Sequence, residues 1–122
     1  MKVEKTRGYR DLIVWQRAMA LVPVVYRLVR KLPKEENWAL SDQIRRAAIS
    51  VPANIAEGQA RQHKMEFVQY LAIARGSLAE LDTLLQTAAN LEYIQPDDLE
   101  VTERLITEVR RLLQGLIQRV RG

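Results

Sequence analysis

Residues 40–60 read LSDQIRRAAISVPANIAEGQA, and this stretch decides the fold. Leu40, Ile44, Ala47, Val51 and Ile55 recur at steps of 4, 3, 4 and 4, the repeat of one helical face rather than the two-residue alternation of a strand. Along one flank of that stripe run Gln43, Arg46, Ser50, Asn54, Glu57 and Arg61, at steps of 3, 4, 4, 3 and 4. They form a polar ribbon bordering the core, with Asn54 nearest the buried side, where a polar group needs hydrogen-bond partners. Two readings stand side by side. The ribbon is a recognition surface, or it is a network that fixes helix register, with Glu57 and Arg61 paired one turn apart. The second is favoured. The opposite side carries Ile49, Ala53, Ala56 and Ala60, a second stripe of one bulky and three small residues. Pro52 interrupts the hydrogen-bond ladder and should kink the helix or break it.

Three further stripes flank this one. Leu12, Trp15, Met19, Val22, Tyr26 and Val29 precede it; Phe67, Leu71, Ala74, Leu78, Leu81, Leu85 and Ala88 follow it; Leu99, Thr102, Ile106, Val109, Leu113, Leu116 and Val120 come last. Pro33 and the charges after it close the first segment. Gly58 and the polar run to Lys64 mark a turn before the third. Pro96, Asp97 and Asp98 suit the first turn of the fourth, and Arg119 and Arg121 its C-terminal end. The expected helices cover about 11–31, 37–60, 64–91 and 97–120, good to a few residues. Matched lengths and short connections predict one all-α domain over residues 1–122, an antiparallel up-down-up-down four-helix bundle. Pro23 inside the first helix predicts a second kink.

A chain of 122 residues can build a stable core on its own. It has no cysteine, so neither disulfides nor thiolate metal sites are expected. The opening MKVEKTRGYRDL is charged and lacks the apolar centre of a secretory signal, and no apolar run is long enough to cross a bilayer. A cytoplasmic protein with no membrane partner is the expectation. Net charge is +4, unevenly spread: residues 1–64 hold thirteen Lys/Arg against six Asp/Glu, and residues 65–122 hold six against nine. A basic half suits a polyanionic partner, foremost nucleic acid, although ordinary surface solubility gives the same pattern.

Catalytic constellations fare poorly. His63 is the single histidine. A Glu-x-x-His ligand pair would need Glu at position 60, which is Ala60. The Arg-to-His spacing of helical-bundle ribonucleases would need Arg at 56–58, which are Ala56, Glu57 and Gly58. Ser50 and Ser77 have no histidine base near them in sequence, and the glycines form no phosphate loop. No catalytic residue, metal or cofactor is expected. The basic set Arg7, Arg10, Arg17, Arg45, Arg46, Arg61, Lys64 and Arg75 remains, and from it Arg45, Arg46, Arg61 and Arg75 are the candidate nucleic-acid contacts. Gln43, Ser50, Asn54 and Glu57 are the candidate structural ribbon. Helix 3 also carries Ala72, Gly76, Ala79 and Thr83, with Tyr70, Ile73 and Leu84, outside its main stripe. Helices 2 and 3 thus have more apolar and small surface than one wet-faced bundle needs, which predicts oligomerisation.

The segment QIRRAAISVPANIAEG at 43–58, followed by Arg61, resembles the signature of four-helix-bundle proteins related to the 23S rRNA intervening-sequence protein. DLIVWQ at 11–16 is similar to that family's opening, ARGSLAEL at 74–81 to its third helix, and LEYI at 91–94 to its last turn. His63 and Pro23 depart from the family pattern. The family's relatives include accessory variability determinant proteins of diversity-generating retroelements. The resemblance implies a ring-like homopentamer, a basic surface facing nucleic acid, a reverse transcriptase as a possible partner, and no catalytic residues.

Overall fold

The computed structural model describes residues 8–122. Its four helices are α1 (Ile13–Val29), α2 (Leu40–Arg61), α3 (Lys64–Asn90) and α4 (Glu100–Arg121). Single 3-10 turns at Gly8–Asp11, Lys34–Glu36 and Pro96–Leu99 lead into α1, α2 and α4. Each helix packs on its neighbour in the chain, α4 closes back onto α1, and α2 with α3 make the most extensive contact. The register runs in opposite directions. Ser50 faces Ser77 and Gly58 faces Tyr70 across α2 and α3; Gln86 reaches Glu103 between α3 and α4, and Arg17 reaches Glu108 between α1 and α4. This is the expected antiparallel bundle.

The apolar stripes of α2, α3 and α4 point inward. Ile44, Val51, Ile55, Leu71, Leu81, Val109 and Leu113 are fully buried. In α1 the seam differs from the one read along the chain. Val14, Ala18, Leu21, Val25 and Leu28 are buried, whereas Met19 is 45% exposed and Trp15, Val22 and Tyr26 are only half-covered. Helix 1 is apolar on two adjoining faces, so 3–4 spacing fits either. Gln16, Pro23 and Arg27 are exposed on the side opposite Leu21 and Val25.

Both internal prolines leave their helices unbroken. Pro23 is exposed, so its missing donor faces solvent, while Pro52 is buried. Gly58 marks no turn, because α2 continues to Arg61. Its role is close approach. A Cβ on Gly58 would stand 2.5 Å from the Tyr70 Cβ and 3.2 Å from a Phe67 ring carbon. The reversal falls instead on Gln62, which takes a left-handed conformation at φ 63°, and on His63.

His63 occupies the N-cap of α3 in extended conformation and makes no side-chain cap. A serine there can accept from the free amides of the first turn. His63→Ser is expected to raise stability by about 1 kcal/mol, read as a higher urea midpoint at unchanged slope. By contrast, the turn before α4 is capped on both sides: the Gln95 amide donates to Asp98 Oδ2 at 3.0 Å, and Asp98 in turn answers the Gln95 side chain in a capping box.

Ser41, in the first turn of α2, is 1% exposed, and among the described residues its hydroxyl is the buried side-chain polar atom without a hydrogen-bond partner. Such a group carries a desolvation cost that nothing offsets. Ser41→Ala is therefore expected to stabilise the fold by about 1 kcal/mol; a lower thermal midpoint would show that the hydroxyl is in fact engaged.

Candidate nucleic-acid interface

The polar ribbon of α2 splits into three parts. In the middle, Asn54 Nδ2 donates to the Ser50 carbonyl at 2.8 Å and to the Ser50 hydroxyl at 2.9 Å, and that hydroxyl shares a 2.8 Å bond with Ser77 of α3. These half-buried groups satisfy one another across the α2–α3 seam, so neither serine is positioned as a nucleophile. Toward the C-terminal end, Arg61 donates to Glu57 at 3.2 Å and to the Tyr70 hydroxyl at 2.9 Å, with its guanidinium 5.2 Å from the Tyr70 ring centre. The Glu57 bond first, and Tyr70 after it, push the Arg61 pKa up from the ordinary arginine value. At the N-terminal end, Arg46 is paired with Asp42 at 2.9 Å, and Gln43 is exposed.

The four arginines singled out in the sequence do not form one patch. Arg45 and Arg61 sit sixteen residues apart on α2, about 24 Å along the axis. Arg75 belongs to another side, in a groove between α3 and α4 that also holds Asp82 and Arg110. Arg46 and Arg61 each have a carboxylate partner. Arg7 lies outside the described residues. Arg17 pairs with Glu108 at 3.0 Å, and Arg10 stands over the Tyr9 ring.

Arg45 is the exception. Its Nη2 donates to the Asn37 carbonyl at 3.1 Å, which fixes the guanidinium against the α1–α2 connection without neutralising it. There it lines a groove of about 370 Å³ together with Tyr26, Arg30, Lys34 and Asn37. No carboxylate lines this groove. Of the two acids next to these residues in sequence, Glu35 is exposed and does not line the groove, and Glu36 is occupied elsewhere: one oxygen accepts from the Leu40 amide at 3.3 Å and the other from the Tyr93 hydroxyl at 2.8 Å. That second bond, with burial behind it, pushes the Tyr93 hydroxyl's pKa above the usual phenol value. Lys31, just past the end of α1, is within 3.8 Å of Asp98 and so is drawn away. Next to Asn37 stands Trp38, 91% exposed. A tryptophan left this bare in a short, ordered connection is unusual, because its ring carries a large apolar surface. Four other grooves, mostly on α4 and its seams, each include a carboxylate; the roomiest, about 680 Å³, mixes Glu100, Glu103 and Glu108 with Arg104 and Arg111.

Apolar spacing does not reveal this corner: it places Tyr26 in the core seam, and Arg30, Lys34 and Trp38 fall in none of the stripes or candidate sets. The available signal was Trp38 itself, an aromatic in the polar connection PKEENWA that belongs to none of the apolar stripes. Among the described residues there is no group of three His, Cys, Asp or Glu placed to hold a metal ion, and no helix long and apolar enough to cross a membrane.

A search of curated proteins finds no match. Among solved structures, the chain is similar to a protein of unknown function from the S23 ribosomal protein family of Bacteroides thetaiotaomicron VPI-5482, with 27% identity, a TM-score of 0.80, and coverage of 89% of this chain and 98% of that one. The pattern of the 23S rRNA-intervening sequence protein family matches residues 10–115, and the chain belongs to that family.

Proposed function

We propose that the protein is a non-catalytic, homo-oligomeric helical bundle that binds nucleic acid through its basic side. The observation that carries this reading is charge segregation. The basic excess lies in residues 1–64, whereas the second half of the chain has an acidic excess. Beside it stands a local asymmetry: the α1–α2 corner groove is lined by Arg30, Lys34 and Arg45 with no carboxylate, whereas the α4 groove mixes Glu100, Glu103 and Glu108 with Arg104 and Arg111. A cluster of one sign draws a polyanion to that corner. Mobility shifts against structured RNA and duplex DNA over a salt series test it. Binding that weakens steeply as salt rises is the expected result; absence of binding at the lowest salt would overturn the reading.

The oligomeric part of the proposal is a homopentamer. It is supported by the resemblance of residues 43–58 to a family with ring-forming relatives, and by Ile49 and Ile73, 46% and 51% exposed on α2 and α3, with Ala53, Gly76 and Ala79 also in the open. Light scattering should give about five times the 14.1 kDa chain mass; a lone 14.1 kDa species rules the ring out. The retroelement resemblance adds a reverse transcriptase as the protein partner to try in a pull-down.

A further inference from the structure

The geometry points to a site for an unpaired nucleotide at the α1–α2 corner, with the base stacked on Trp38 and the adjoining phosphates held by Arg30, Lys34 and Arg45. This inference rests on the nucleic-acid reading and narrows it from polyanions in general to single-stranded segments. Three observations converge. First, the groove lined by Asn37, the residue before Trp38, gathers three cations and, unlike the other grooves described, no carboxylate. No ion pair engages these three among the described residues, so the charge of the cluster is not offset within it. Second, Arg45 is held in place by the Asn37 carbonyl, so its charge is pre-positioned rather than free to wander. Third, Trp38 follows Asn37 directly, is 91% exposed, and lies in a well-formed connection rather than a frayed end: the Asn37 amide donates to Lys34 and the Ala39 amide to Glu36, each at 3.0 Å.

Chemistry selects the ligand. A bare indole face takes any base, because every base has a π-face, and stacking needs a base that is not already paired and enclosed in a duplex. Cations alongside it track the phosphates of the same strand. Duplex ends aside, a double helix offers this corner only phosphates, leaving Trp38 idle. An identical copy docking here face to face would bring three cations against three cations, which disfavours a symmetric self-contact.

The test compares a labelled twelve-nucleotide oligo(dT) and oligo(U) with a duplex of equal length, using the full chain. Trp38→Ala should weaken binding of the single strands by about tenfold or more and of the duplex by less than about twofold, while Trp38→Phe keeps most of the single-strand affinity. Because Trp38 is almost wholly exposed, neither change threatens the fold. Arg30→Ala, Lys34→Ala and Arg45→Ala should each reduce the log–log salt slope for oligo(dT) by about 0.7. If the chain binds duplex but Trp38→Ala leaves single-strand affinity unchanged, the site is wrong and the broader reading survives. If no probe binds at low salt, the broader reading fails and takes the site with it. If Trp38→Ala lowers the mass seen by light scattering while single-strand binding persists, Trp38 is a contact between copies and the inference is overturned.

Discussion

Gly58→Ala is expected to destabilise the protein by about 2 kcal/mol, although alanine is by propensity the better helix former by about 1 kcal/mol. The sign follows from what the new methyl group meets. At 2.5 Å it would press on the Tyr70 Cβ, an atom tied directly to the α3 backbone, and at 3.2 Å on the Phe67 ring. A flexible side-chain tip could swing aside; a Cβ cannot, so α2 and α3 must move apart along their most extensive contact. Separation would also stretch the Ser50–Ser77 bond and the Arg61–Tyr70 bond, both of which bridge these helices. Urea unfolding of the purified variant gives the answer as a fall in midpoint at unchanged slope. Gly115, on α4 and outside the face proposed for assembly, is the control. A Cβ there meets only the tip of Arg119 at 3.5 Å, an ordinary contact, so Gly115→Ala should gain the propensity term and come out more stable. A Gly58→Ala midpoint equal to that of Gly115→Ala would mean that the helices do not approach as described.

The second large effect tests the seam of α1. Leu21→Ala should cost about 3 kcal/mol, because Leu21 is fully buried and truncation leaves a cavity between packed helices. Met19→Ala, two residues away at 45% exposure, should cost less than about 1 kcal/mol. The opposite ranking would restore the stripe through Leu12, Trp15 and Met19 as the core face.

Those two helices also show what the sequence could and could not convey. In α2, α3 and α4 one face carries the bulky apolar residues, the second faces of α2 and α3 being mostly small, so Ile44, Leu71, Leu85, Val109 and Leu113 are legible as core. In α1 two adjoining faces are apolar. The choice between them depends on which neighbours arrive at Leu21 and Val25, a tertiary fact that spacing does not carry. Gly58 was misread for a related reason: a glycine before a polar run resembles a helix stop, and only the position of Tyr70 on another helix reveals it as a point of contact. The candidate arginines failed differently. Spacing shows that Arg46 and Arg61 share a flank, but each is taken by a carboxylate partner, and Arg45 lies on another side of the helix. The cations that gather with Arg45, Arg30 and Lys34, come from the connection between α1 and α2, and the 3.6-residue period of α2 says nothing about either.

The two-residue reversal at Gln62 and His63 has a consequence for how the chain reaches this structure. Closing so short a loop sacrifices little chain entropy, and it brings together the helix pair with the closest fit. The α2–α3 hairpin is therefore expected to assemble in the rate-limiting step, with α1 and α4 joining across the longer connections at 30–39 and 91–99 afterwards. Stopped-flow measurements would show it: Ile55→Val should slow refolding, while Ile117→Val should leave refolding nearly unchanged and speed unfolding. The reverse pattern would place the nucleus on α4. A hairpin that forms early presents its outer Ile49 and Ile73 before the bundle is closed, so partly folded chains could already meet through the surface that the assembled ring is proposed to bury.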